Sequence, residues 1–183
     1  MLVNSGPASN GRPKLRLALA AALLAVAADQ ASKWVILEHV MIPPRVIEAT
    51  PFLNLTLGFN RGVSFGLWGH GAAGPWLLSA LAVAISIALA LWAWRTDSRT
   101  EAAALGAIVG GAIGNVIDRV QKGAVTDFLD LHAFGWHWPT FNLADVGITG
   151  GVGLLLLHGW LQGRRAPAAE SVQRITSFTR HRS

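Results

Sequence analysis

Long apolar segments alternate with short polar ones along the 183-residue chain. A helix needs about 20 apolar residues to cross about 30 Å of hydrocarbon. Four segments approach that length with few charges, at residues 15–37, 76–94, 102–120 and 144–161. The pattern predicts an all-α membrane protein with four transmembrane helices, in a domain covering residues 14–163.

The first apolar segment also has the charged start and apolar middle of a cleavable signal peptide. Two features favour a retained helix instead. Apolar residues resume at positions 34–37, and Asp29 and Lys33 are spaced i,i+4 for an ion pair within a helix.

The two longer connections, residues 38–75 and 121–143, differ in pattern. In the first, apolar and polar residues partly alternate over 52–59, which predicts a short strand or hairpin at the membrane surface. The second is expected to be a loop carrying Asp127, a solvated Asp130 and two isolated histidines, His132 and His137. Its aromatic residues suit a membrane interface and are Phe134, Trp136 and Trp138. Residues 1–13 and 164–183 are polar and are expected to form cytoplasmic tails, disordered over 1–13 and mobile over 166–183.

Composition and charge agree with a membrane protein. The chain is 52% hydrophobic and 14% charged, whereas soluble domains have about 25% charged residues. Ten of the 15 basic residues fall on one side of a four-span path: Arg12, Lys14, Arg16, Arg95, Arg99, Arg164, Arg165, Arg174, Arg180 and Arg182. The positive-inside rule therefore predicts cytoplasmic termini and outward-facing longer connections. Basic residues placed this way indicate orientation rather than binding to nucleic acid.

Several chemistries find no motif in the sequence. Cysteine is absent, which excludes disulfides, thiolate nucleophiles and cysteine-ligated metals. The histidines lack the spacing of a metal site or a Ser-His-Asp triad, and no phosphate-binding loop occurs. We therefore expect neither a metal nor another cofactor.

The polar residues that interrupt the apolar pattern all fall at one level in the predicted topology, near the outer face. They are Asp29, Lys33, Asn60, Arg61, Asn115, Asp118, Arg119, Asp127, Asn142 and Asp145. Ionisable groups cost about 2.5–3.5 kcal/mol within a span and usually have a function. Structural alternatives remain for several of them. Asp29 and Lys33 can be a structural pair, Asp118 and Arg119 can support the end of the third span, and Asp145 can cap the fourth.

Small residues recur at four-residue steps in the last two spans. Gly106, Gly110 and Gly114 form one series, and Gly147 and Gly151 form another. Such steps permit close approach of helices. We expect them to bring the polar ends of spans three and four together.

Carboxylates that converge at a membrane surface suggest aspartic-protease chemistry. Two carboxyl groups about 3 Å apart share a proton, so one can activate water while the other polarises a peptide carbonyl. Both Asp118 and Asp127 are candidates to pair with Asp145. A transporter with an aspartate proton relay is the main alternative, followed by a structural membrane protein.

Five motifs carry a resemblance to the bacterial lipoprotein signal peptidases, the signal peptidase II family. They are DQASK at 29–33, NRGVSFG at 60–66, GGAIGNVIDR at 110–119, VTDF at 125–128 and FNLAD at 141–145. The motifs occur in the order typical of that family and cover nearly all of the four-span region.

The resemblance implies a four-helix aspartic endopeptidase of the bacterial inner membrane, with a small extracytoplasmic β-cradle. It implies removal of the signal peptide from diacylglyceryl-modified prolipoproteins, just before the lipid-modified cysteine, by catalytic Asp127 and Asp145. Substrate binding or support of the site is implied for Asn60, Gly62, Asn115, Asp118, Arg119, Asn142, Asp29 and Lys33. The implied partners are lipid-modified prolipoproteins, membrane lipid and globomycin-type inhibitors.

Overall fold

The computed structural model of the protein describes residues 12–62 and 73–180. Its elements, in chain order, are helix α1 (Arg12–Val35), a π-helical turn (Ile36–Val40), strands β1 (Ile47–Thr50) and β2 (Leu53–Asn60), helices α2 (Ala73–Arg95) and α3 (Arg99–Lys122), strands β3 (Val125–Ala133) and β4 (Trp136–His137), and helix α4 (Leu143–Arg180). Each of the four α-helices contains a segment long and apolar enough to cross a membrane. The predicted four-helix membrane fold with a small sheet is confirmed. Most of the expected N-terminal tail and positions 63–66 of the loop motif lie outside the described residues.

Helix α3 is the central helix of the bundle. Half of its most apolar 18-residue segment is buried inside the protein, compared with 11% of the corresponding segment in α1, 17% in α2 and 11% in α4. Ser98 caps its start by accepting a hydrogen bond from the Glu101 amide. Gly123 ends it in the left-handed conformation, at φ 71°. Both caps are standard ways of satisfying the free backbone groups at helix ends.

The glycines of α3 pack differently from the expectation. A β-carbon on Gly106 or Gly110 would lie 2.2–2.3 Å from a backbone oxygen of α1. That series therefore packs against α1, not against α4. The contact between α3 and α4 uses Gly111, where a β-carbon would lie 2.3 Å from the Ala144 oxygen, together with Gly151 of α4. Small residues thus occupy two faces of α3, one for each neighbour.

Helix α4 is much longer than its predicted span. It has 38 residues, which corresponds to about 57 Å at 1.5 Å per residue. Residues 166–180 of the expected tail have a helical backbone, and their mobility stays a prediction. The sequence after residue 161 contains five arginines, three alanines and two glutamines, residue types that favour a helix. Helix α1 likewise begins at Arg12, inside the expected N-terminal tail.

The sheet has four antiparallel strands in the order β1-β2-β3-β4. The predicted hairpin is confirmed as β1 and β2. The expected loop over 121–143 is wrong, because it contains strands β3 and β4. Their two-residue turn, Phe134 and Gly135, has φ values of 53° and 80°, the backbone geometry that matches strand twist in tight hairpins. The interfacial position of the exposed aromatic residues around this turn stays a prediction.

The sheet packs against one end of the helix bundle, which we call the sheet end. An apolar cluster joins Ile36 and Met41, which follow α1, to Phe128 of β3. Leu143 at the start of α4 packs against the same cluster. The start of β3 is thereby held beside the ends of α1, α3 and α4, where the polar residues of the spans lie.

Candidate active site

Six charged or amide side chains are buried where β3 meets the helices at the sheet end. They are Asp29, Lys33, Asn115, Asp118, Asp127 and Asn142, each at most 8% exposed. Asp145 is half-buried beside them, and Asn60 lies exposed at the end of β2. Buried polar groups of this density require partners, and their hydrogen bonds define the site.

Asp29 and Lys33 form the ion pair that their spacing predicts. Lys33 Nζ lies 2.8 Å from Asp29 Oδ2, and both side chains are almost completely buried. The other oxygen of Asp29 accepts a hydrogen bond of 3.0 Å from the backbone amide of Ala144. This pair therefore joins α1 to the first turn of α4.

Asp118 joins α3 to β3. Its Oδ2 accepts a hydrogen bond from the Thr126 amide at 2.9 Å and lies 3.0 Å from Lys33 Nζ. Its Oδ1 accepts from Lys122 Nζ at 3.0 Å. Three donors hold this carboxylate, so its contacts are those of a structural support.

Asp127 lies on strand β3, so its expected place on a loop is wrong. Its side chain accepts a hydrogen bond of 2.7 Å from the Asn142 amide and another from Asn60. Burial, with a further contribution from the charge of Asp145, raises the pKa of Asp127 to about 6. Neutral amides only partly offset the loss of hydration, so this carboxyl group retains a proton more readily than an exposed one.

Asp145 and Asn142 cap the start of α4 reciprocally. The Asn142 side-chain oxygen accepts a hydrogen bond from the backbone N–H of Asp145 at 3.1 Å. Asp145 Oδ2 accepts one from the backbone N–H of Asn142 at 3.2 Å. The expected capping role of Asp145 is confirmed as this two-way capping box. Its Oδ1 accepts a hydrogen bond from Asn115 Nδ2 at 2.9 Å. Two donors from different elements therefore fix the orientation of its carboxylate.

The amides of Asn115 and Asn142 connect all these groups. Asn115 Oδ1 accepts from Lys33 Nζ at 3.3 Å and from Asn142 Nδ2 at 3.1 Å. Because this oxygen receives two donors, the amide nitrogen of Asn115 must point to Asp145. The Asn142 side chain donates to the Asp127 carboxyl group and at the same time accepts from the backbone N–H of Asp145. The pattern brings Asp127, rather than Asp118, into one unit with Asp145.

Arg119 places a positive charge near the carboxyl groups of the site. Its half-buried guanidinium interacts with the charges of Asp145 and Asp127. Within the described part of the chain, its buried Nε has no hydrogen-bond partner. A β-carbon on Gly62, at φ 78°, would collide with Leu78 and lie 3.8 Å from Arg119 Nη2. Only glycine suits this position, and its lack of a side chain lets the segment that follows β2 lie close to Arg119.

An open groove of about 500 Å³ runs past Asp127 over the sheet. Its described lining residues are Gly58, Phe59, Asn60, Arg61, Asp127, Pro139 and Thr140. The groove gives an extended chain access to the buried carboxyl group. Within residues 12–62 and 73–180, no three acidic or histidine side chains come together in a way that could hold a metal ion.

A second polar cluster lies nearer the turn of the β3–β4 hairpin, and it corrects two expectations. Asp130 is 8% exposed, and it accepts hydrogen bonds from His137 at 2.8 Å and Asn54 at 3.1 Å. The rings of His132 and His137 stack, with centroids 5.1 Å apart. Asp130 is therefore not a solvated loop residue, and the two histidines are not isolated.

Some residues of the site gave no clear signal in the sequence. Thr126 and Ala144 contribute backbone amides, which no side-chain pattern reveals. Lys122 was recognisable in part, because it follows Asp118 at the i,i+4 spacing of a helical ion pair. Gly58 and Thr140 reach the groove only through the pairing of distant segments.

Comparisons with known proteins agree with this architecture. The family model described as signal peptidase (SPase) II matches residues 21–161. The lipoprotein signal peptidase of Methylobacterium sp. (strain 4-46) is 46% identical over 153 residues, which are 82% of this chain and 93% of that protein. The lipoprotein signal peptidase of Methylorubrum extorquens (strain PA1) is 44% identical over 157 residues, or 85% of this chain and 92% of that protein.

Solved structures show the same fold. One, titled as a bacterial membrane enzyme structure at 1.9 Å resolution by the in meso method, has a TM-score of 0.68 and 31% identity, covering 77% of this chain and 90% of its own. Another, at 2.3 Å, has a TM-score of 0.67 and 30% identity, covering 80% and 88%. None of these relatives supports a transporter. The chain, a membrane-embedded peptidase, belongs to the signal peptidase II family.

Proposed function

We propose that this protein removes the signal peptide from diacylglyceryl-modified prolipoproteins, cutting just before the lipid-modified cysteine, with Asp127 and Asp145 as the catalytic pair. The observation that carries the assignment is that the Asn142 side chain donates to the Asp127 carboxyl group and accepts from the backbone N–H of Asp145. The lipoprotein signal peptidases to which the chain is similar support the choice of substrate.

The two carboxyl groups have different surroundings, and these suggest different tasks. Asp145 accepts hydrogen bonds from Asn115 and the Asn142 amide, which suits the ionised member of the pair. Asp127, whose burial raises its pKa to about 6, suits the protonated member. Asp127 then polarises the substrate carbonyl oxygen while Asp145 takes a proton from the attacking water.

The proton balance closes without a cofactor or a covalent intermediate. Water oxygen bonds to the carbonyl carbon, its proton passes to Asp145, and the carbonyl oxygen takes the Asp127 proton. When the carbon–nitrogen bond breaks, Asp145 gives its proton to the amine of the cysteine. Asp127 recovers its proton from the hydroxyl of the intermediate, and the pair returns to its starting state.

The remaining site residues hold the substrate or the pair. Arg119 carries a buried Nε without a partner among the described residues, which suits a donor to a substrate carbonyl. Asn60 lines the groove beside Asp127. The Asp29–Lys33 pair and Asp118 position Asn115, α4 and β3, and do not act on substrate.

The orientation follows from the basic residues. Ten of the 15 lie on the side that holds both termini in a four-span path, so both termini face the cytoplasm and the sheet end faces outward across the bacterial inner membrane. The substrate is itself anchored in lipid and enters sideways from the bilayer. Globomycin-type inhibitors occupy the same groove.

The test measures cleavage of a lipidated prolipoprotein by purified protein, with the cut position determined by mass spectrometry. Asp127→Asn and Asp145→Asn should each abolish cleavage while the protein stays inserted and folded. Asp130→Asn, a buried aspartate on the same strand, is the matched control and should retain activity. Near-normal turnover by either catalytic variant, or cleavage away from the lipidated cysteine, would contradict the proposal.

A further inference from the structure

The strand position directly opposite Asp127 has no side chain. Strands β2 and β3 pair so that Gly58 is the cross-strand partner of Asp127. Paired residues in an antiparallel sheet point to the same face, so Gly58 leaves a gap on the face of the sheet that carries the Asp127 side chain. We call this gap, between Gly58 and Thr140, the Gly58 notch.

The size of the notch follows from the neighbours of a β-carbon built on Gly58. Such an atom would lie 3.3 Å from Thr140 Oγ1 and 3.7 Å from the Asp127 backbone oxygen. Alanine would fit after a small shift of Thr140, and a larger side chain would fill the notch. The same residues line the groove that passes Asp127.

The fold itself does not require glycine at this position. Gly58 is not among the described residues with positive φ, which are Gly62, Gly123, Gly135 and Phe134. The spacing to its neighbours is also wider than at Gly106, Gly110 and Gly111, where a β-carbon would overlap the backbone of another helix. Strand β2 shifts its register against β3 between Leu55 and Gly58, and a glycine inside a strand often marks such a bulge or a place where a ligand approaches closely. The space at Gly58 is therefore available to a ligand.

We infer that the Gly58 notch receives the substrate side chain that follows the lipid-modified cysteine and limits its size. The inference rests on the proposed function. Gly58 and Thr140 both lie outside the four membrane-spanning segments, whereas the lipid of the cysteine must stay in the bilayer. The chain beyond the cysteine leaves the membrane, so its first residue is the one that passes over the sheet.

Peptide series test this inference. Lipidated prolipoproteins carry Gly, Ser, Leu or Phe after the cysteine, and a second series carries the same residues before it. Gly58→Val should lower kcat/KM for the Leu and Phe substrates at least about tenfold more than for the Gly substrate, because the valine side chain takes the space that a large substrate residue needs. The difference should appear mainly in KM.

A rescue variant separates steric filling from general damage. Thr140→Ala removes the nearest atom, so Gly58→Ala combined with Thr140→Ala should accept large residues better than Gly58→Ala alone. Equal losses for all substrates would overturn the inference, as would losses that follow the residue before the cysteine. Failure of the unaltered protein to cleave any lipidated substrate would instead contradict the proposed function.

Discussion

Strand β3 carries two buried aspartates three residues apart, and their surroundings are opposite. Asp127 is 2% exposed and Asp130 is 8% exposed. Burial raises the pKa of Asp127 to about 6. A hydrogen bond from His137, assisted by Asn54, holds the pKa of Asp130 below its usual value despite burial. Burial alone therefore does not decide the state of a carboxyl group.

The two carboxyl groups also differ in their partners. Asp127 contacts neutral amides and has a second carboxylate, Asp145, nearby. Asp130 contacts a histidine that can carry a positive charge. An aspartate with a basic partner is stabilised as an anion, while one held by amides beside another acid is ready to exchange a proton. We call the part of β3 around Asp127 its site end and the part around Asp130 its turn end.

The largest expected effect comes from breaking the ion network of Asp29, Lys33 and Asp118, which lies beside the site end of β3. Lys33→Met leaves Asp29 and Asp118 buried without their shared cation, which should lower the free energy of unfolding by about 3–5 kcal/mol. The measurement is denaturant unfolding in detergent. Lys122→Met is the matched control, because Lys122 also contacts Asp118 but its side chain is 31% exposed, and it should cost less. Equal losses would show that burial of the lysine is unimportant.

Exchange of the amides at the two ends should separate their roles. Asn142→Ala removes the contact shared by Asp127 and Asp145 and should lower kcat about 100-fold, comparable to the loss of one electrostatic donor in other enzymes. Asn54→Ala removes the amide partner of Asp130 and should change kcat by less than about threefold, because the turn end does not touch the reacting atoms. Cleavage rates of both variants decide the matter, and similar losses would contradict the distinction.

The raised pKa of Asp127 predicts the pH dependence. The proposed mechanism requires its protonated form, so kcat/KM should fall about tenfold per pH unit well above pH 6. Stability has the same sign, since the pKa of the folded state exceeds the ordinary value of 3.8. Ionisation therefore costs stability as pH rises from about 4 to 6.

Unfolding of Asp127→Asn at several pH values isolates this contribution. The variant should gain stability relative to the unaltered protein across that pH window and show no further gain above it. Asp130→Asn should show no such gain, because the pKa of Asp130 is lowered. A pH-independent difference between Asp127→Asn and the unaltered protein would contradict the raised pKa.

The smallest effect is expected from His137→Ala. Its side chain is 54% exposed, and exposed ion pairs contribute about 0–1 kcal/mol to stability. The free energy of unfolding should fall by no more than about 1 kcal/mol, with cleavage unchanged. A tenfold loss of cleavage would show that the two ends of β3 form one network.

The sequence predicted those features that depend on local pattern. The four spans follow from apolar length, and the Asp29–Lys33 pair follows from helical spacing. Strand β3 was missed because Asp127, Asp130 and His132 made its segment resemble a polar loop. Their burial depends on Asn54, Asn142 and other partners far away in the chain. The residues alone left both Asp118 and Asp127 as candidates to pair with Asp145, because the donors that reach each carboxylate come from distant parts of the chain.

The order in which the groups of the site occur along the chain has a consequence for synthesis. Asp29 lies in the first helix, yet it accepts a hydrogen bond from the backbone amide of Ala144, 115 residues later. Asp145 follows immediately. A ribosome that has not yet released the start of α4 has made Asp29, Lys33, Asn115 and Asp127, but no carboxylate pair. On the proposed assignment of Asp127 and Asp145, the nascent protein is therefore inactive until its last helix enters the membrane.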